Sequence, residues 1–188
     1  MIDANAVGSS DEAHFAAIPW CTRHLQGNRV IARTPSNRTL KSTNEDALFA
    51  DTLNSEKGIS RMLQVHEEPL SPSEPVNEVK VFLTLGRGLD GYPNVCHGGL
   101  VATILDEVVG MLTVINRGRR NMPSGTLLTA YLNTRFIKPV PTAATILARA
   151  WYTKVEGRKS FMQGTIEDEN GDILARADVL YVELRSSL

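Results

Sequence analysis

At 188 residues, 42% hydrophobic and 22% charged, the chain is long enough for one domain with a sizeable core and ordinary in composition for a water-soluble fold. A formal net charge of −1, with no long run of one sign, excludes the composition of a nucleic-acid-binding protein. Two cysteines, Cys21 and Cys96, exclude a disulfide framework or a Cys-x-x-Cys zinc site and suit a reducing compartment.

The first residues lack the basic start and apolar stretch of a secretory signal, so the expected location is cytoplasmic. Residues 1–75 read as an N-terminal extension, with too few apolar residues for a core of their own. Within it, Pro19-Trp20 reads as an anchor, Pro35-Ser36-Asn37 as a turn, and residues 46–66 as helix, from the spacing of Ala47, Leu48, Phe49, Leu53, Ile59, Met62 and Leu63. Pro69, Pro72 and Pro75 in a polar setting mark a linker.

The folded domain is expected over residues 76–188. Val79 to Leu85 reads as a strand. Gly86, Gly88 and Gly91 then fit a dinucleotide-binding fingerprint, but Pro93 follows at once and no helix starts at the turn, so the stretch is read as a glycine-rich connection. A helix is expected from Gly98 to Asn116, ending in Arg117, Gly118, Arg119 and Arg120, residues suited to a helix C-terminus. Its apolar run is broken by Asp106 and Glu107 and falls short of the ~20 residues of a bilayer span, so no membrane span is expected. Four β segments follow: Thr126 to Ile137, Ala144 to Val155, Lys159 to Asp168 and Ile173 to Leu184. Glu156-Gly157-Arg158 and Asn170-Gly171 read as hairpin turns. A helix apolar on every side must be covered, and a curved antiparallel sheet wrapped around it is the economical α+β solution.

An acid inside such a helix is costly unless it is paired or used. The helical neighbours of Asp106 are Gly99, Ala102, Thr103, Val109, Gly110 and Thr113, a face of small residues that leaves room for a ligand or a partner chain. Glu107 faces bulkier residues, so Asp106 is the catalytic candidate. At the helix start, His97, Gly98 and Gly99 form a corner whose backbone N–H groups can polarise a carbonyl oxygen. His97 and Asp106 are about 13 Å apart along a helix, too far to serve one carbonyl. If both act, they come from different subunits, so a two-fold homodimer with two composite sites is expected. Thr129 is placed to hold a water for Asp106 or is simply a strand threonine. Arg158 and Lys159, on a turn, either meet phosphates or are solvated. Cys96 reads as a small buried thiol. His14, His24 and His66 show no metal spacing, so no metal is expected.

His97-Gly98-Gly99 followed by Leu100 through Glu107 resembles the signature of hotdog-fold acyl-CoA thioesterases of the phenylacetate-degradation type, the PaaI-like branch. The segments Leu85 to Pro93, Asn133 to Val140 and Glu156 to Ser160 resemble it too, and the likeness covers residues 79–184. The resemblance implies a long helix wrapped by a curved sheet, dimers and often tetramers, and hydrolysis of a CoA thioester in lipid metabolism with no cofactor. It implies Asp106 as general base or nucleophile, Gly98 as oxyanion donor, His97 as a residue shaping that hole, and Thr129 as the residue that orients water. Gly99 lies in the same corner, and Arg158 and Lys159 meet the nucleotide end of CoA. Several relatives carry asparagine where this chain has Gly91, and Asn94 is the nearby candidate to substitute for it. Two other readings use the same fold: a non-catalytic acyl-CoA-binding regulator, which would not need Asp106, and a hydratase or dehydratase, which needs a histidine–acid pair.

Overall fold

A computed structural model describes residues 10–184. The chain runs through helices α1 (Ser10–Ala16) and α2 (Pro19–Thr22) and strands β1 (Val30–Arg33), β2 (Ile59–Glu67) and β3 (Glu78–Leu85). A short hairpin, β4 (Asp90–Tyr92) and β5 (Val95–Cys96), leads into helix α3 (Gly98–Asn116), and strands β6 (Leu127–Phe136), β7 (Ala144–Glu156), β8 (Lys159–Glu167) and β9 (Ile173–Glu183) follow. Seven strands form one antiparallel sheet in the order β1-β2-β3-β7-β8-β9-β6, and α3 packs on β3 and on β6 through β9. This is the α+β architecture expected.

The helix starts where the His97 side chain caps it, Nδ1 accepting the Gly99 N–H at 3.0 Å. Val101, Ile104, Leu105, Val108, Val109 and Leu112 are buried, each burial contributing about 1.5–3 kcal/mol. The sheet makes room at Gly164, where a Cβ would lie 3.3 Å from Leu105 Cδ2. At the other end Gly118 takes the left-handed conformation (φ +78°), and Arg119 Nε donates to the Ile115 carbonyl at 3.2 Å. Arg119 also holds Glu68 at 2.8 Å and the Glu74 carbonyl at 2.9 Å, so the proline-rich connection is clamped to the helix end. Asn116, 1% exposed, bonds the Val76 N–H at 2.7 Å and its carbonyl at 2.9 Å, tying α3 to the approach to β3.

Length does not argue against a membrane span as the sequence reading supposed. With nineteen residues and a mean hydropathy of 1.7, α3 is long and apolar enough to cross a bilayer by length and composition alone. The sheet packed on it contributes to burying 44% of that apolar stretch.

One expectation is corrected within the first 75 residues. The segment 46–66 is not one helix: a single π-helical turn, Leu48–Thr52, precedes strand β2. Strand β2 is buried on both faces, Met62 against the α3 core and Leu63 and Val65 against a second core, so its apolar residues run together instead of alternating. β1 and β2 extend the sheet, with β2 paired to β3 from Ile59↔Leu85 to Val65↔Lys80. Phe15 and Cys21 cover the sheet face opposite α3, packing with Leu63, Val65, Phe82 and Leu147. The Trp20 ring meets Phe82 edge-on at 5.4 Å, the anchoring expected of it.

The glycine-rich connection packs on the loop before β2. A Cβ on Gly86 would lie 2.3 Å from the Glu56 carbonyl oxygen, and one on Gly88 2.7 Å from that of Lys57. Close backbone approach, not phosphate binding, uses these glycines. The hairpins at Gly157 and Gly171 form as expected, whereas the proline turn after Phe136 joins strands that are not neighbours, since β6 pairs with β9 and β7 with β3 and β8.

Candidate active site

Asp106 sits midway along α3, half-buried. Its Oδ1 accepts two hydroxyl hydrogen bonds, from Thr129 Oγ1 at 2.9 Å and from the Tyr181 phenol at 3.0 Å. The phenol also lies 3.0 Å from the Asp106 carbonyl oxygen. Among the described residues nothing bonds Oδ2. Gly110, one turn further on, leaves space for the phenol, since a Cβ there would be 3.3 Å from it. Burial pushes the Tyr181 phenol up, which keeps it a protonated donor.

Thr129 reaches the helix because β6 bulges. Thr129 pairs with Tyr181 and Tyr131 with Leu180, leaving Ala130 as the extra residue. The bulge puts Thr129 on the same face as Leu132, which packs against the core. Thr129 thus orients the carboxylate itself, where the sequence reading gave it a water. Tyr181 was missed, although the alternation Ala175, Ala177, Val179, Tyr181 carries the phenol onto the core face and was a readable signal.

The corner at the helix start is exposed. His97 Nδ1 accepts the Gly99 N–H, which fixes the ring proton on Nε2 and leaves Gly98 as the corner's open donor, without a partner among the described residues. Gly99 therefore serves the cap. The Phe136 ring flanks Gly98, 3.5 Å from where a Cβ would stand. Gly91 presses against this corner: a Cβ there would lie 2.7 Å from His97 Cα, so the asparagine of some relatives does not fit this backbone. Asn94 is a turn residue at φ +63°, its side-chain oxygen held by the Arg87 guanidinium and its N–H by Asp90 at 3.2 Å.

Within one chain the Gly98 N–H and Asp106 are eight residues apart, about 12 Å of helix rise. The fold brings Asp106, Thr129 and Tyr181 together and leaves His97 and Gly98 a separate half. Arg158 and Lys159 lie toward the Asp106 end of the sheet, since Ser160 pairs with Tyr181 and Lys159 with Val182. Arg158 donates to the Glu183 carbonyl at 2.9 Å. Cys96 is buried and its thiol is pushed up to about 11 by that burial, which keeps it from acting as a nucleophile. Glu107 faces the other way, where Asn37 donates to its Oε1 at 2.6 Å and burial pushes its carboxyl up.

Comparison with known proteins bears on the fold. The family model of the Thioesterase superfamily matches residues 93–175, the span from the turn before α3 into β9. The match covers somewhat under half of the chain, and with the fold it makes the chain similar to hotdog proteins of the thioesterase superfamily. Among solved structures, the thioesterase superfamily protein RHA08564 is 26% identical, with a TM-score of 0.53 over 65% of this chain and 54% of that one. The BH2602 protein of Bacillus halodurans, solved with CoA, is 26% identical, with a TM-score of 0.50 over 58% of this chain and 70% of that one. Verlamelin biosynthesis protein B of Lecanicillium is 25% identical over 93% of this chain and 89% of its own length. Acyl-coenzyme A thioesterase THEM4 of Rattus norvegicus is 33% identical over 53% of this chain, which spans only 40% of that protein.

Proposed function

We propose that the protein hydrolyses acyl-CoA thioesters, with Asp106 as the catalytic acid–base and active sites completed across a homodimer. One observation carries this reading: a carboxylate oriented through one oxygen by two hydroxyls, its other oxygen open on a face of small residues. Oδ2 takes a proton from a water while the hydroxide oxygen attacks the thioester carbon. The carbonyl oxygen becomes an oxyanion, which the Gly98 N–H of the partner subunit meets at the positive end of its helix. The C–S bond then breaks, and Asp106 returns its proton to the CoA thiolate. Direct attack by Oδ2, through a mixed anhydride, uses the same geometry. Single turnover in oxygen-18 water separates the two: label enters Asp106 only if it attacks.

CoA as the leaving group is supported by the rat relative, an acyl-coenzyme A thioesterase by name, and by the Bacillus halodurans structure, solved with CoA. Arg158 and Lys159 supply positive charge for its phosphates. The dimer rests on the 12 Å gap and on the exposed β6 edge, whose Leu128, Tyr131 and Phe136 are 52%, 47% and 60% exposed. The test is Asp106→Asn against a panel of acyl-CoAs. Turnover falls by roughly 10²–10⁴ if Asp106 acts as stated. Unchanged turnover removes the assignment and favours a different use of the fold.

A further inference from the structure

The hairpin that delivers the chain to the Gly98 corner is small. β4 and β5 have three and two residues, too few to hold a direction by themselves. One carboxylate ties it down. Asp90 opens β4, and its Oδ2 accepts the N–H of Asn94, the left-handed residue of the hairpin turn, at 3.2 Å. Its Oδ1 accepts the hydroxyl of Thr142, which is 52 residues further on in the connection from β6 to β7 and only 6% exposed. The Thr142 N–H in turn donates to the Asn94 carbonyl at 3.2 Å. Asp90, Asn94 and Thr142 thus close a ring between two distant segments.

Backbone contacts continue this clamp up to the corner. Val95 and Pro141 form a β-bridge, the Cys96 N–H donates to the Val140 carbonyl at 2.8 Å, and the His97 N–H donates to the Leu89 carbonyl at 2.9 Å. The clamped connection is the one that leaves β6 at Phe136, whose ring lies 3.5 Å from where a Cβ on Gly98 would stand. Asp90 therefore joins the chain entering the corner to the chain leaving its flanking ring. Ala143, next to Thr142, is held at φ +52°, a left-handed conformation that alanine keeps only where its surroundings fix it.

We infer that Asp90 and Thr142 are positioning residues for the oxyanion half of the site: their bond fixes where the Gly98 N–H points. Neither touches the reacting atoms. A donor to an oxyanion works within a few tenths of an ångström, and a misplacement of about 1 Å costs up to a hundredfold in rate. The inference rests on the proposed use of Gly98 for its kinetic test but not for its structural one.

The kinetic test uses Thr142→Val, which keeps the side-chain shape and removes the hydroxyl, Thr142→Ser, which restores the hydroxyl, and Asp90→Ala. Thr142→Val and Asp90→Ala each lower kcat for acyl-CoA hydrolysis by about tenfold to a hundredfold, with KM within about twofold of wild type. Thr142→Ser stays within about threefold of wild type, and the double variant Asp90→Ala/Thr142→Val is no worse than Asp90→Ala, since both changes break one bond. An unchanged kcat, a loss that falls on KM, or a serine variant as poor as the valine one overturns the inference. Asp90 is exposed, so Asp90→Ala decides if Thr142→Val does not fold. The structural test is amide hydrogen exchange on the folded variants. Exchange at Cys96 and His97 quickens by about tenfold or more in Thr142→Val and Asp90→Ala, while Ile104 to Leu112 inside α3 exchange as in wild type. Unchanged exchange at the corner overturns the inference. If the wild-type protein cleaves no acyl-CoA, the thioesterase reading fails, and exchange alone decides whether Asp90 and Thr142 fix the corner.

Discussion

Asp106 shows how a costly residue is made tolerable and useful by the same contacts. Two hydroxyls meet one carboxylate oxygen, so orientation and satisfaction come together while the second oxygen stays open. Removing either hydroxyl costs a hydrogen bond to a charged group, about 1.5–3 kcal/mol. Thr129→Val and Tyr181→Phe should therefore each lower kcat roughly tenfold to a hundredfold with a smaller effect on KM, measured by steady-state kinetics. Gly91 is a second informative residue. Gly91→Ala places a Cβ 2.7 Å from His97 Cα, so the corner must shift. The expected outcome is a loss of about 1–3 kcal/mol in chemical denaturation together with reduced turnover. Glu107 gives a pH signature. Burial raises its folded carboxyl above the unfolded value, so the stability it contributes is present below the unfolded pKa and is lost as pH rises through the folded one. Glu107→Gln should raise the melting temperature at neutral pH, and the gain should shrink toward pH 4.

At the level of elements, sequence periodicity worked where one face decides the pattern. The helix from Gly98 to Asn116 and the last four strands were legible because the His-Gly-Gly corner, hairpin glycines and clear apolar runs mark their limits. Strand β2 was not legible. Sandwiched between α3 and the N-terminal helices, it carries Met62, Leu63 and Val65 without alternation, and helical spacing in Ala47 to Leu53 extended the error across Gly58. Of the site, Asp106, Thr129 and the glycine corner could be found from spacing and resemblance. The contact from Asn37 to Glu107 could not, because it spans 70 residues and leaves no local pattern. The join between α3 and the sheet makes its own prediction. Asn116→Leu leaves the Val76 N–H and carbonyl without their partner. It should destabilise the fold by about 2–3 kcal/mol in denaturant melts.

For the whole molecule, the central claim is that α3 works only opposite its own copy. In the proposed homodimer each chain would supply a carboxylate half and an oxyanion half, about 12 Å apart on one helix, and a two-fold axis would bring unlike halves together twice. Two variants divide the halves cleanly. Asp106→Asn removes the base. Gly98→Pro removes only the corner N–H, because Gly98 is the first residue of α3, where proline is well tolerated, and His97 at φ −59°, ψ 132° already has the extended backbone that precedes proline. Each variant alone should be a folded and nearly inactive dimer. Unfolded, mixed and refolded together in equal amounts, half the dimers pair one of each, and one of their two sites is intact. The measurement is acyl-CoA hydrolysis by that mixture: the account predicts recovery to about a quarter of wild-type activity, and a mixture no more active than its two components would contradict it.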